Sequence, residues 1–141
     1  MHIRAITIED IPTLLAISQD EDGFKIRGEG FWTEQQLKRW IEKGDDVLLA
    51  AEREGRVVGF VLTALHSPTG KVTWENQLVV HEYRRQGVAH LLTEEMLKRL
   101  KENGATYVNF LVKSTNQSAL SYYRGQGFEQ GDDCAWFGKF L

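Results

Sequence analysis

The stretch that decides how this chain is read is Leu78-Val79-Val80-His81-Glu82-Tyr83-Arg84-Arg85-Gln86-Gly87-Val88-Ala89-His90-Leu91-Leu92. An apolar run ends at Val80, a short basic turn containing Gly87 follows, and helical spacing begins at once with Val88, Leu91 and Leu92. The first amides of a helix have no intrahelical partner, and the helix dipole adds partial positive charge at the same end. Gly87 has no Cβ to hold an approaching group away, while Arg84 and Arg85 add full charges. The stretch is suited to a bulky anion such as a diphosphate. The same residues also fit an ordinary strand-to-helix turn whose arginines face water.

Working outward, Lys71 to Val80 reads as a strand entered from the turn Ser67-Pro68-Thr69-Gly70. Two apolar strands precede it, Val47 to Ala51 and Val57 to Leu62, joined as a hairpin at Glu54-Gly55-Arg56. Nearer the start, residues 2–7 alternate as a weak strand, and Thr7 caps a helix carrying Ile11, Leu14, Leu15 and Ile17. Gln19 to Gly30 is polar and glycine-bearing, a loop, and Thr33 with Gln36 forms a capping box opening a helix to about Ile41. After the decisive turn, Val88, Leu91, Leu92, Met96 and Leu100 make the strongest apolar stripe, with Gly104 beyond its basic last turns. Tyr107 to Val112 is a strand, Asn116 to Arg124 a helix stopped by Gly125 and Gly127, and Phe128 to Leu141 two terminal strands. The order β-α-α-β-β-β-α-β-α-β-β predicts an α/β fold of mixed α+β character: one central mixed sheet of about six to seven strands with helices on both faces. The segment from 71 to 112 is expected to be a right-handed parallel crossover.

Composition narrows the function. The chain has 141 residues, enough for one domain with a real core, 1–141, and too few for two ordinary ones. Hydrophobic residues at 42% and charged ones at 26% argue for a globular chain over extended disorder. A net charge of −3 repels nucleic acid and anionic membrane, so the positive charge near Arg84 is local and suits a small anion. One cysteine, Cys134, excludes an internal disulfide framework and fits a reducing cytosol. Met1-His2-Ile3-Arg4 lacks a signal core and no apolar stretch is long enough to span a bilayer, so a soluble cytoplasmic protein is expected. His2, His66, His81 and His90 are scattered without the spacing of a metal site, and no metal is expected.

Two motifs now resemble a known family. Arg84-x-x-Gly87-x-Ala89 matches the acyl-CoA-binding signature Q/R-x-x-G-x-G/A of the GNAT superfamily of N-acetyltransferases. Asn116-x-x-Ala119-x-x-x-Tyr123-x-x-x-Gly127-Phe128 resembles that family's downstream helix-and-turn motif, and the element order agrees over essentially the whole chain. The resemblance implies a slot where the strand ending at Val79-Val80 splays from the one at Tyr107 to Val112. The pantetheine arm of acetyl-CoA would lie there as an added strand, bonded to the main chain of Leu78, Val79 and Val80. Its pyrophosphate would meet the turn headed by Arg84, at the amides of Arg85, Gln86, Gly87, Val88 and Ala89. Asn116 matches a position that contacts the cofactor arm, and it equally suits a helix N-cap. Gln77 departs from the family's pattern, which is apolar there.

By the same resemblance the chain is expected to be an acetyl-CoA-dependent N-acetyltransferase in which an amine attacks the thioester directly. A main-chain N–H near Leu78 or Val79 would stabilise the oxyanion. Tyr123 matches the family's proton donor to the departing sulfur and also touches the cofactor, although a phenol of pKa about 10 protonates a thiolate of about 8.5 only against the gradient. Glu75, three residues before Leu78, is the side-chain candidate for the base; it also fits a strand carboxylate facing water or Lys71, with a water chain as a third option. The glutamate that some members carry on the following strand is Leu111 here. Between the first two helices, Asp20, Glu21, Asp22, Phe24, Phe31 and Trp32 either favour a cationic amine or form a solvated acidic loop with tucked aromatics. The partners expected are acetyl-CoA and a small-molecule or peptide amine, not nucleic acid or membrane, with a homodimer left open. The alternative is a GNAT-fold module that binds CoA as a sensor without turnover.

Overall fold

The computed structural model describes residues 1–19, 21, 25–26, 29–30 and 32–141, with the side chains of 25, 26, 29 and 30 left aside. The chain forms two compact units, Met1–Phe110 and Leu111–Leu141. In the first, strands β1 (His2–Ala5), β4 (Leu48–Arg53), β5 (Arg56–His66), β6 (Lys71–Val79) and β7 (Tyr107–Asn109) make one sheet in the order β1-β4-β5-β6-β7. Every neighbouring pair is antiparallel except β6 with β7, the parallel pair that the crossover required. Between β1 and β4 come helix α1 (Ile11–Ser18), a short ribbon of β2 (Lys25–Ile26) and β3 (Glu29–Gly30), and helix α2 (Glu34–Lys43). Helix α3 (Val88–Glu102) links β6 to β7.

Local chemistry fixes these boundaries. Glu54 and Gly55 lie at φ 52° and 75°, the left-handed pair that a two-residue hairpin between twisted strands demands. The capping box of α2 is formed: Gln36 N donates to Thr33 Oγ1 at 3.2 Å, and Thr33 N donates to Gln36 Oε1 at 2.9 Å. Ahead of α1, buried Asp10 accepts from Thr7 N at 2.8 Å and takes a two-pronged grip from the Arg4 guanidinium at 2.7 and 2.8 Å. That guanidinium holds the Asp10 carboxyl below the usual range.

Alternation along the strands separates two packed faces. Leu48, Ala50, Phe60, Leu62 and Leu78 face α1 and α2 through Ile11, Leu14 and Leu37. Leu49, Val61 and Val72 are buried on the other side with Val88, Leu92, Met96 and Leu100 of α3. Helices therefore cover both faces of the sheet. Gly59 lies at the closest approach: a Cβ there would stand 2.8 Å from the Leu78 carbonyl oxygen and 3.4 Å from Leu92 Cδ1.

Three expectations change. The sheet has five strands, not six to seven, because Phe128 to Leu141 forms no strand; Gly131-Asp132-Asp133 and Gly138 interrupt its aromatic run with strand-poor residues. Strand β7 stops at Asn109 instead of reaching Val112. The region read as a loop from Gln19 to Gly30 contains the β2–β3 ribbon, while Asp20, Asp22, Phe24 and Phe31 lie outside the described residues. The second unit holds helix α4 (Gln117–Gly125). No described helix is long and apolar enough to cross a membrane.

Because the atom that a Gly59 side chain meets is main chain, Gly59→Ala should cost about 1–3 kcal/mol of stability. Urea unfolding checks this, and an unchanged midpoint would mean that β5 and β6 separate without cost.

Candidate active site

Strands β6 and β7 pair only over Lys71↔Tyr107, Val72↔Val108 and Thr73↔Asn109. Beyond Thr73, β6 runs on to Val79 with its far edge unmatched by β7 among the described residues. At the last paired position, Asn109 Oδ1 is buried without a hydrogen-bond partner. Sequence reasoning passed over Asn109, and only the end of the pairing marks it out.

Which β6 amides face the opening follows from the opposite pairing. Val80 N donates to Val58 O on β5 at 3.0 Å. Alternation gives Leu78 the same side and turns the amides of Gln77 and Val79 toward β7. Of the three main-chain positions expected in the slot, the geometry favours Val79. Its carbonyl is already taken, since Arg84 Nε donates to Val79 O at 2.8 Å. The Arg84 guanidinium also meets Glu21 at 2.5 Å, so this side chain fastens the strand end to the segment before α2.

The turn itself is left-handed twice, with Arg85 at φ 61° and Gly87 at φ 81°. A non-glycine residue at positive φ is uncommon, and at Arg85 it shapes the turn that leads into α3. Gly87 occupies the N-cap of α3, where no side chain caps the helix. Leu91 N, bonded to Gly87 O at 3.0 Å, is the first amide of the helix to find an acceptor. The amides from Arg85 through His90 meet none in hydrogen-bonding geometry among the described residues. Consecutive N–H groups around a left-handed residue, at the positive end of a 15-residue helix, are an arrangement chemically able to receive an anion. Gln86 turns outward, donating to Glu82 O at 2.8 Å and accepting from Arg53 at 3.1 Å.

Glu75 holds a special place on β6. Leu62 pairs with Asn76 and Thr63 with Trp74, so Glu75 is the extra residue of a β-bulge. A bulge bends its strand and re-aims a side chain, a device common beside active sites. Glu75 is exposed, yet partial desolvation and then the charge of Asp46 raise its carboxyl above the usual value. Asp46 is a buried hub: it accepts from Trp40 Nε1 at 2.8 Å, Leu65 N at 2.7 Å and Lys43 Nζ at 3.2 Å. Next to the bulge, Asn76 Oδ1 accepts from Trp32 Nε1 at 2.9 Å. Trp32 and Trp40 stack edge to face at 5.1 Å and pack on the core. Trp32 is therefore a tucked aromatic, as one of the two sequence readings held.

In the second unit, Asn116 Oδ1 accepts from Ala119 N at 3.1 Å and caps α4. Tyr123 sits edge to face with Tyr122 at 5.2 Å and Phe128 at 5.9 Å. Burial, followed by Tyr122, raises its phenol above 10.0. Arg124 donates to Gln130. Among the described residues no cluster of His, Cys, Asp and Glu is suited to a metal.

Known proteins resemble this chain in sequence and fold. Residues 13–128 match the Acetyltransferase (GNAT) family. An acetyltransferase of Sodalis glossinidius (strain morsitans) is 29% identical over 142 residues, covering 100% of this chain and 96% of its own. The crystal structure of a ribosomal-protein-alanine N-acetyltransferase from Brucella melitensis superposes with a TM-score of 0.80 at 26% identity, over 94% of this chain and 86% of that one. A PaiA N-acetyltransferase from Thermoplasma acidophilum, solved with coenzyme A, shares the fold with a TM-score of 0.83 at 20% identity, over 94% and 92% of the two chains.

A Cβ on Gly87 would meet nothing within 4 Å, so the cost of a side chain there lies in its backbone angle alone. Gly87→Ala should lose about 1–2 kcal/mol and weaken coenzyme A binding as the turn relaxes. Calorimetric titration and urea unfolding read the two effects, and wild-type values in both would mean the left-handed turn has no function.

Proposed function

The chain belongs to the GNAT acetyltransferase family, and from that membership we propose how it handles donor and acceptor. It is an N-acetyltransferase. A CoA-binding module without turnover does not fit relatives named for acetyl transfer. The donor we assign is acetyl-CoA, and the observation that carries it is the run of unanswered amides from Arg85 through His90 behind an open strand edge. The related fold solved with coenzyme A supports the same assignment. A family match running from 13 to 128 supports reading residues 1–141 as one catalytic domain. A cytoplasmic location fits the single cysteine.

In this reading the diphosphate sits on the turn amides, Gly87 admitting its approach, and the pantetheine arm extends along β6. Val79 N–H is aimed at the side where the thioester oxygen gathers charge, and it supplies the oxyanion contact. Glu75 takes the proton from the ammonium of the acceptor, which is charged at neutral pH. A raised carboxyl is a stronger base, so desolvation at the bulge works in the direction the chemistry needs. The neutral amine forms the new C–N bond, the C–S bond breaks, the thiolate collects a proton from Tyr123, and the second proton released by the acetylated nitrogen restores the phenol. The raised phenol keeps Tyr123 protonated but steepens that last transfer, so it depends on close contact with the sulfur. The acceptor is a small-molecule or peptide amine. An amine panel with detection of released thiol, peptide N-termini included, tests the whole reading; no thiol release with any amine would overturn it.

Two substitutions test the roles. Tyr123→Phe should reduce kcat by about 10- to 1000-fold while acetyl-CoA affinity changes little, and an unaltered kcat would remove the acid. For Glu75, base catalysis is lost as pH falls through its folded pKa, which lies above the usual glutamate value. The acid limb of kcat/KM should therefore lie above that value in the wild type and disappear in Glu75→Gln, with the rate down about 100-fold or more. Retention of both limb and rate in Glu75→Gln would hand the task to water.

A further inference from the structure

Gln77 is polar at a position where the related pattern is apolar, and its contacts show what the polarity does. It lies on the α3 face of β6, and its Nε2 donates to Ala89 O in the first turn of α3 at 3.1 Å. Thr93 Oγ1 donates to the same oxygen at 2.8 Å and reaches Gln77 Oε1 at 3.4 Å. Thr93 is 2% exposed, and Gln77 and Ala89 are half-buried, so this network is partly withdrawn from water. Polar groups withdrawn in this way act more strongly because less solvent screens them.

Ala89 O and His90 N–H are the two ends of one conjugated peptide unit. Hydrogen bonds received at the oxygen draw charge from the nitrogen and make its N–H a stronger donor. His90 N–H is among the amides left without an acceptor at the head of α3. Gln77 also ties that peptide to β6, the strand along which the donor's arm is proposed to lie. We infer that Gln77 is a positioning residue for the diphosphate, holding and polarising the Ala89–His90 peptide so that His90 N–H meets a phosphoryl oxygen. This rests on the proposal that the turn receives the nucleotide. An apolar side chain at 77 would fill the same space and leave the peptide without this donor.

S-acetylpantetheine, which lacks the diphosphate, separates this role from simple packing. Calorimetry of coenzyme A with wild-type protein comes first. Gln77→Leu removes both contacts; Gln77→Glu keeps shape and the Thr93 contact but cannot donate to Ala89 O. Each variant should lower kcat/KM for acetyl-CoA about tenfold, through KM, the scale of one hydrogen bond to a charged group. For S-acetylpantetheine the loss should stay within about twofold, since that donor never uses the peptide. If the leucine variant does not fold, the glutamate variant decides the matter. Equal losses with both donors, or no loss with either, overturn the inference. Wild-type protein giving no heat with coenzyme A overturns the nucleotide reading and this inference together; wild-type heat with variants unchanged overturns this inference alone.

Discussion

Main-chain hydrogen bonding is the constraint on which the rest of this structure depends. A folded chain ordinarily pairs nearly all of its buried N–H and C=O groups. Among the described residues two sets are left unpaired in neighbouring segments: the amides of Gln77 and Val79 on the side of β6 toward β7, and the amides from Arg85 through His90. The surrounding residues keep them open. Arg84 occupies Val79 O, Arg85 and Gly87 accept left-handed angles, and Gln86 folds outward onto Glu82. In the proposed reading, a guest that is extended at one end and anionic at the other satisfies both sets. Acyl-CoA has that form.

In the proposed reading, the covalent and electrostatic chemistry is arranged around the end of the β6–β7 pairing. Burial on one side and the Asp46 hub on the other act on Glu75 in the same direction. Asp46 has its own oxygens occupied by Trp40, Leu65 and Lys43, so its charge is fixed in place at the edge of the core. Trp32, which looked available to an acceptor, is part of this scaffold and anchors Asn76, while Trp40 anchors Asp46.

How much was legible in the sequence divides along physical lines. Features set by a few adjacent residues could be read: the Glu54-Gly55 hairpin, the Thr33–Gln36 capping box, the α3 stripe beginning at Val88 and the strand-to-helix turn before it. Features set by distant partners could not. The bulge at Glu75 exists only relative to Leu62 and Thr63, and the side toward which the Val79 amide points is known only once Val80 is seen bonded to Val58. The aromatic run after Phe128 has the residues of a strand, but Gly131-Asp132-Asp133 breaks it and no neighbour enforces pairing. Gln77 looked like a departure from pattern until Ala89 and Thr93 appeared beside it.

The bulge carries a consequence for how such a protein can change over evolutionary time. Trp74 and Asn76 already sit opposite adjacent residues of β5, so the sheet would close its ladder if residue 75 were simply missing. Glu75 is thus supernumerary to the architecture: neither core layer needs its side chain for filling. That releases the position from packing constraints and lets its identity drift or be replaced with little penalty to folding. Stability and chemistry are uncoupled at that one site, a favourable place for new reactivity to arise on an old scaffold.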